Sequence, residues 1–185
     1  MAPTDKLHPA EIRLPADCPY RIATADRGRW REDLSDCCRS PGRISARDDE
    51  EPLCLTIGSE DAAYRFFWDS SFHGRAVVRI AWRGPVATLR WRYQHFRIPA
   101  SDDSPEQAPL SPDNQTQFLN AIASFWSFGT IEKGIGLDGA TWLIEGRRGD
   151  LYRGISQWSP RGELYGVGKL FFDLAGPPLS KIELY

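Results

Sequence analysis

The sequence contains no apolar run close to the roughly 18 residues that a membrane-spanning helix needs. Residues 1–20 lack an apolar core behind a basic start, so they do not resemble a secretory signal. These absences predict a cytoplasmic protein without a membrane partner. Basic residues are not in excess either, because the net charge is −2. This charge argues against a dedicated nucleic-acid-binding protein with a basic face.

Cysteine is scarce, and its spacing does not match the usual metal sites. Neither a C-x-x-C pair nor a histidine at zinc-finger spacing accompanies Cys18, Cys37, Cys38 and Cys54. Four cysteines in 185 residues are also too few for a disulfide scaffold. We therefore expect reduced thiols, no metal and no cofactor.

One glycine pattern resembles a cofactor loop. Residues 134–139 match G-x-G-x-x-G. A dinucleotide-binding loop must follow a strand and begin a helix, so that the phosphate meets free N–H groups. Here a predicted helix precedes the glycines and a predicted strand follows them. The pattern therefore indicates a helix-to-strand loop.

Catalytic motifs are also missing. The histidines are His8, His73 and His95, and no serine lies in a G-x-S-x-G elbow that would expose a nucleophile. Acid–base catalysis of the glycosidase type needs two carboxylates at a defined distance. Asp138 and Glu145 lie seven residues apart in the sequence, and no second carboxylate is clearly placed within that distance. No catalytic residue is assigned. The alternative is a small hydrolase-type enzyme that uses Glu145 or His73 beside arginine residues.

Aromatic side chains are abundant, at 12%, and 16 Gly with 14 Pro favour short strands. Residues 1–52 are rich in charge and proline, which predicts an extended N-terminal arm and an irregular segment. Residues 53–185 predict a single α+β domain. Its predicted strands cover 53–57, 64–68, 75–82, 87–96, 140–145, 151–158 and 181–185.

The main helix is predicted to begin at Ser111, which can cap it, and to end at Gly129. Its apolar stripe consists of Phe118, Leu119, Ile122, Phe125 and Trp126. A linker over 99–110 precedes this helix, and a short helix is predicted over 167–175. The expected fold is α+β: a twisted antiparallel sheet of five to seven strands with one main helix packed on a face.

Alternation fixes the register of the hairpin made by the third and fourth predicted strands. With Trp82 opposite Ala87, every pair on one face is apolar or aromatic, so this face packs on the core. The other face then carries Arg79 directly opposite Arg90, with Arg92 nearby. Opposed like charges destabilise a sheet, so they need a negative partner or a solvated groove.

The fifth and sixth predicted strands form a second hairpin. Its turn places Glu145 opposite Tyr152, while Trp142 points to the other side and packs on the stripe of the main helix. If both hairpins share a sheet, Glu145 neutralises the arginines of the first. The candidate binding surface comprises Arg79, Arg90, Arg92, Glu145, Tyr152 and Trp158. It is either a structural ion-pair network under the N-terminal segment or a concave surface with the anchors typical of interfaces.

Residues 138–160 contain a series of short motifs: Asp138-Gly139, Trp142, Glu145-Gly146, Tyr152 and Trp158-Ser159-Pro160. In this order they resemble an uncharacterised family of bacterial proteins, and the likeness covers about residues 62–176. Members often have histidine after the tyrosine, where this chain has Arg153. The resemblance implies no known activity.

Protein binding without catalysis is the function that these features favour. A concrete version is a cytoplasmic bacterial immunity protein that masks a toxin or effector. This version is motivated by small size, acidity, the missing signal, the missing catalytic set and the bacterial resemblance, and it is an analogy.

The cysteine spacing predicts that the thiols bind no metal. Elemental analysis of the purified protein is expected to show no stoichiometric zinc, because no ligand set has the spacing of a tetrahedral site. One zinc ion per chain would contradict this prediction.

Overall fold

Strand β2 lies in the interior of the sheet, and its sequence AAYRFFWDS is rich in aromatic residues that favour β structure. The computed structural model describes residues 21–22, 53, 60–95, 106–127, 138–149 and 151–184. The strands are β1 (Arg21–Ile22), β2 (Ala62–Ser70), β3 (Gly74–Arg83), β4 (Val86–Gln94), β5 (Glu106–Pro109), β6 (Ala140–Arg148) and β7 (Leu151–Trp158). The helices are α1 (Pro112–Ile122) and α2 (Gly162–Ala175), with 3₁₀ turns over Ala123–Ser127 and Leu179–Lys181.

These strands form one sheet in the order β1-β7-β6-β2-β3-β4-β5. Neighbouring strands are antiparallel except β1 and β7, which run parallel. Both helices share one core with apolar side chains of β2, β3, β4, β6 and β7. The predicted α+β fold with an antiparallel sheet is therefore confirmed. The helix over 167–175 is longer than expected, because it begins at Gly162.

Within the described ranges, no helix is both long and apolar enough to cross a membrane.

The β3–β4 hairpin has the predicted register. Trp82 lies opposite Ala87, and Arg79 lies opposite Arg90. Gly84 takes the first place of the two-residue turn with a φ of +57°, a conformation that favours glycine. Trp82 and Ala87 belong to the core beneath the helices, so alternation points the two arginines to the opposite face.

The β6–β7 hairpin keeps the predicted faces, but its register differs by two residues. Glu145 lies opposite Gly154 and Tyr152 lies opposite Arg147, so the prediction that Glu145 faces Tyr152 is wrong. The reason is the position of the turn: Arg148 pairs with Leu151, so the turn is centred midway between them, one residue later in the chain than the predicted register requires. A shift of two residues leaves every side chain on its own face, and Trp142 is indeed fully buried in the core.

Two peripheral segments differ from the predictions. Part of 99–110, predicted as a linker, forms β5 at the end of the sheet order, where an edge strand tolerates Pro109. The described part of 181–185 forms no strand, although an edge strand was predicted there. Leu179 and Leu184 are buried in the core instead, so this segment turns inward.

Helix α1 begins as predicted. Ser111 accepts a hydrogen bond from the Asn114 N–H at 3.2 Å, and Pro112 occupies the first turn. Phe118 and Ile122 are buried, as expected for the apolar stripe. Leu119 is 46% exposed, so its assignment to that stripe is wrong.

Several sequence predictions fall mainly on residues outside the described part of the chain. The strand over 53–57 is described only at Leu53, which is buried and lies in a turn. Of the arm and irregular segment over 1–52, only the two residues of β1 are described. The four cysteines, His8 and Gly129 also lie outside the described ranges.

Helix α2 makes a close approach to the sheet at Gly168. A Cβ atom at this position would lie 2.1 Å from the Trp142 ring. The same ring lies 4.9 Å from Phe66 and 5.8 Å from Tyr165, measured between ring centroids. Trp142 therefore packs on α2, whereas the sequence predicted that it packs on the stripe of α1.

Two glycines of α2 provide a matched test of this packing. Gly168→Ala is expected to lower the free energy of unfolding by about 1–3 kcal/mol, because the methyl group overpacks the Trp142 contact. Gly166→Ala is expected to raise it by about 0.5–1 kcal/mol, because a Cβ there meets open space and alanine favours a helix. Urea melts of both variants measure the difference. Equal effects would contradict the close approach.

Candidate functional site

The sheet face that points away from the helices carries a row of polar side chains beside the buried apolar residues Phe67, Val77 and Leu143. Strand pairing places Glu145, Arg65, Arg79, Arg90 and Gln107 side by side in one row across β6, β2, β3, β4 and β5. Alternation directs this row away from the aromatic core residues of β2. We call this side of the sheet, which also carries Arg92, Arg147, Tyr152 and Trp158, the arginine face.

Glu145 lies in a buried cluster with Arg65 and Tyr152. Arg65 binds Oε2 of Glu145 through both Nε and Nη2. The Tyr152 hydroxyl donates a hydrogen bond to Oε1 at 2.8 Å. Glu145 has no exposed surface, and the other two side chains are at most 3% exposed. Both oxygens of the carboxylate therefore have partners inside the protein.

The expected ion pair of Glu145 with Arg79, Arg90 or Arg92 is wrong, because its ion-pair partner among the described residues is Arg65. The physical reason is the strand order. β6 lies next to β2 and not next to β3 or β4, so the arginine of β2 is directly opposite the glutamate. The sequence gives one indication that Arg65 has a partner: it is the single charged residue inside the aromatic run of β2.

Glu60 provides the next negative charge along the arginine face. Its two oxygens each lie 3.3 Å from Nη2 of Arg79. Nη2 of Arg147 donates to Oε2 of the same carboxylate at 2.9 Å. One carboxylate is thus shared between two guanidinium groups.

A cleft of about 280 Å³ opens beside Arg79. Its charged and polar walls are Glu60, Arg79, Arg83, Arg90 and Gln107, and its remaining lining is Ala81, Val86 and Thr88. We call it the arginine cleft. Among the described residues, three arginines line it with a single carboxylate, so the electrostatic potential of this lining favours an anion.

Arg90 lines the arginine cleft and has no neutralising partner among the described residues. Within the part of the chain that the structure describes, it makes no hydrogen bond or ion pair, and its Nε atom is buried without an acceptor. Leaving a buried donor unsatisfied costs about 1–3 kcal/mol, and more for a charged group. An oxyanion in the cleft would remove this penalty.

The six residues of the candidate binding surface predicted from the sequence all lie on the arginine face, but in different places. Arg79 and Arg90 line the cleft, whereas Glu145 and Tyr152 belong to the buried cluster. Arg92 lies opposite Val77, beside the buried apolar residues of this face. Trp158 is half-buried at the last position of β7, opposite Thr141. Sequence reasoning missed Glu60, Arg65, Arg83, Arg147 and Gln107.

His73 lies far from the arginine cleft. It is in the turn before β3, its ring stacks on Trp68 and its carbonyl accepts from the Tyr93 hydroxyl at 2.8 Å. The cleft arginine Arg79 and the cleft residue Ala81 lie toward the other end of that strand. Seven residues of extended chain span about 20 Å. The structure therefore does not bring His73 together with the arginines of the cleft.

The residues that carry the bacterial resemblance have structural roles here. A Cβ at Gly139 would lie 2.8 Å from the Trp158 ring, and one at Gly146 would lie 2.8 Å from the Phe125 ring. Trp142 fills the core, and the Tyr152 hydroxyl binds Glu145. The spacing of these four residues in the sequence therefore follows from close packing and from the buried cluster of Glu145, Arg65 and Tyr152.

Neither a scan of protein-family models nor a search of curated proteins gives a match to this chain. The resemblance therefore stays a prediction.

The buried cluster predicts a large loss of stability when its charge is removed. Glu145→Gln removes the carboxylate charge that pairs with the buried Arg65 and is expected to lower the free energy of unfolding by about 3–5 kcal/mol. Tyr152→Phe removes one hydrogen bond to a charged group and is expected to cost about 1.5–3 kcal/mol. Guanidinium melts measure both effects.

Matched controls separate this cluster from general effects of the substitutions. Glu183 is exposed, so Glu183→Gln is expected to change stability by less than about 0.5 kcal/mol. Tyr165 packs its ring on Trp142. Tyr165→Phe keeps that packing and is the control for Tyr152→Phe. If Glu145→Gln is as mild as Glu183→Gln, the buried ion pair does not form in solution.

Proposed function

We propose that this chain is a non-catalytic protein-binding domain that holds its partner at the arginine cleft, where Arg83, Val86 and Gln107 are exposed. The observation that carries the proposal is the uncompensated Arg90 beside Arg79. Arginine is among the residues enriched at interface hot spots, because its planar guanidinium makes several directed hydrogen bonds. A partner that supplies acceptors would complete this surface.

The state of Glu145 favours binding over hydrolysis. A general acid or base must reach the proton it transfers, and both oxygens of Glu145 are engaged by Arg65 and Tyr152. His73 lies toward the opposite end of β3 from the cleft. The hydrolase alternative with Glu145 or His73 beside arginines therefore has no support from the described residues, and we do not propose it.

A concrete version of this function is a cytoplasmic immunity protein that masks a toxin. Masking needs only a rigid surface that covers the partner and no chemistry of its own. The arginine face lies on interior strands of a sheet whose other side is packed against two helices, which provides that rigidity.

The proposal is tested by capturing the partner with the tagged protein and measuring its affinity for three purified chains. Arg90→Glu reverses the charge inside the cleft and is expected to weaken binding about tenfold or more. Arg161→Glu makes the same exchange at an exposed position next to α2, and its affinity is expected to match that of the wild type. Equal affinity for wild type and Arg90→Glu would contradict the proposed surface.

The immunity version has its own readout. Expression of the captured partner alone is expected to arrest growth of a host cell, and co-expression with this chain is expected to restore it. Co-expression with Arg90→Glu is expected to restore growth poorly. A partner that is harmless when expressed alone would contradict the immunity version.

A further inference from the structure

We propose that the arginine cleft binds a carboxylate side chain from an acidic segment of the partner protein. This inference rests on the proposed protein-binding function and names the chemistry of the partner. It draws on the charge balance of the cleft, on its size and lining, and on the geometry of its donors.

The charge balance requires an anion. Arg79 and Arg90 are paired directly across β3 and β4, so two guanidinium groups occupy neighbouring positions on one face. The only carboxylate in the described lining is Glu60, which also binds Arg147. A single negative charge placed between Arg79 and Arg90 would relieve their repulsion and give the buried Nε of Arg90 an acceptor.

The size and lining of the cleft fit one side chain. Its volume of about 280 Å³ is at the lower end of small-molecule pockets. Ala81, Val86 and Thr88 provide apolar surface that can contact the methylene groups of a glutamate. Gln107, across from Arg90 on β5, adds a neutral amide donor beside the arginines.

The lining favours a carboxylate side chain over a free phosphate. The flat guanidinium matches the two oxygens of a carboxylate with two parallel hydrogen bonds, and it binds phosphate in a similar way. Ala81 and Val86 line the same cleft, and their apolar surface suits the methylene groups of a carboxylate side chain but has no apolar counterpart in phosphate.

The test uses NMR titration of the full chain with three probes: a hexaglutamate peptide, a hexaglutamine peptide and inorganic phosphate. Hexaglutamate is expected to shift the Arg90 Nε–H signal and the Gln107 side-chain amide in a saturable manner. Hexaglutamine is expected to leave both signals in place. Phosphate is expected to bind at least about tenfold more weakly than hexaglutamate.

Three variants locate the binding. Arg90→Gln is expected to weaken the affinity for hexaglutamate about tenfold or more. Arg83→Gln changes an exposed lining residue that can be replaced without disturbing the core, and it is expected to weaken affinity about threefold. This variant keeps the test decisive if Arg90→Gln fails to fold. Arg161→Gln, outside the cleft, is expected to bind like the wild type.

The outcomes separate this inference from the proposed function. No saturable shift with hexaglutamate, equal shifts with hexaglutamine, or tighter binding of phosphate would overturn the carboxylate site. A captured partner that binds equally well to wild type and Arg83→Gln and is not displaced by hexaglutamate would also overturn it while leaving protein binding intact. Localised hexaglutamate binding without any protein partner would support the site and contradict the proposed function.

Discussion

The buried ion pair between Arg65 and Glu145 joins two parts of the sheet that are far apart in the chain. The two residues are separated by 80 positions, yet they lie directly opposite each other on β2 and β6. A slip of one residue would turn Arg65 toward the aromatic core, and a slip of two would place it opposite Leu143 or Arg147. Each slip would leave a buried charge without its counter-charge. The pair therefore fixes the register at the centre of the sheet.

The charge distribution of the whole arginine face follows from this pair. Because Glu145 is committed to Arg65 and Tyr152, it is not available to the arginines of β3 and β4. Glu60 remains for Arg79, and it is shared with Arg147. Among the described residues, the arginines that line the cleft lie on β3 and β4. The same contact that secures the fold thus determines where an anion is favoured.

Local patterns were sufficient to predict much of this structure from the sequence. The alternation of apolar residues defined the β3–β4 register down to Arg79 opposite Arg90, since a short hairpin offers few alternatives. The partner of Glu145 could not be predicted, because it depends on which hairpins become neighbours in the sheet. The two-residue error at β6–β7 came from placing the centre of the turn one residue too early in the chain. Leu119 was misassigned because helical periodicity does not show how wide the buried stripe is.

The unneutralised Arg90 also bears on how long a protein of this kind survives in a cell. A ligand that binds only the native state raises its stability in proportion to the logarithm of the ligand concentration. A chain that carries a ligand in the cleft therefore unfolds less often than a chain whose cleft is empty. Because proteases act on the unfolded population, free copies would be removed faster than bound ones. The cleft would in this way match the amount of the protein to the amount of its partner.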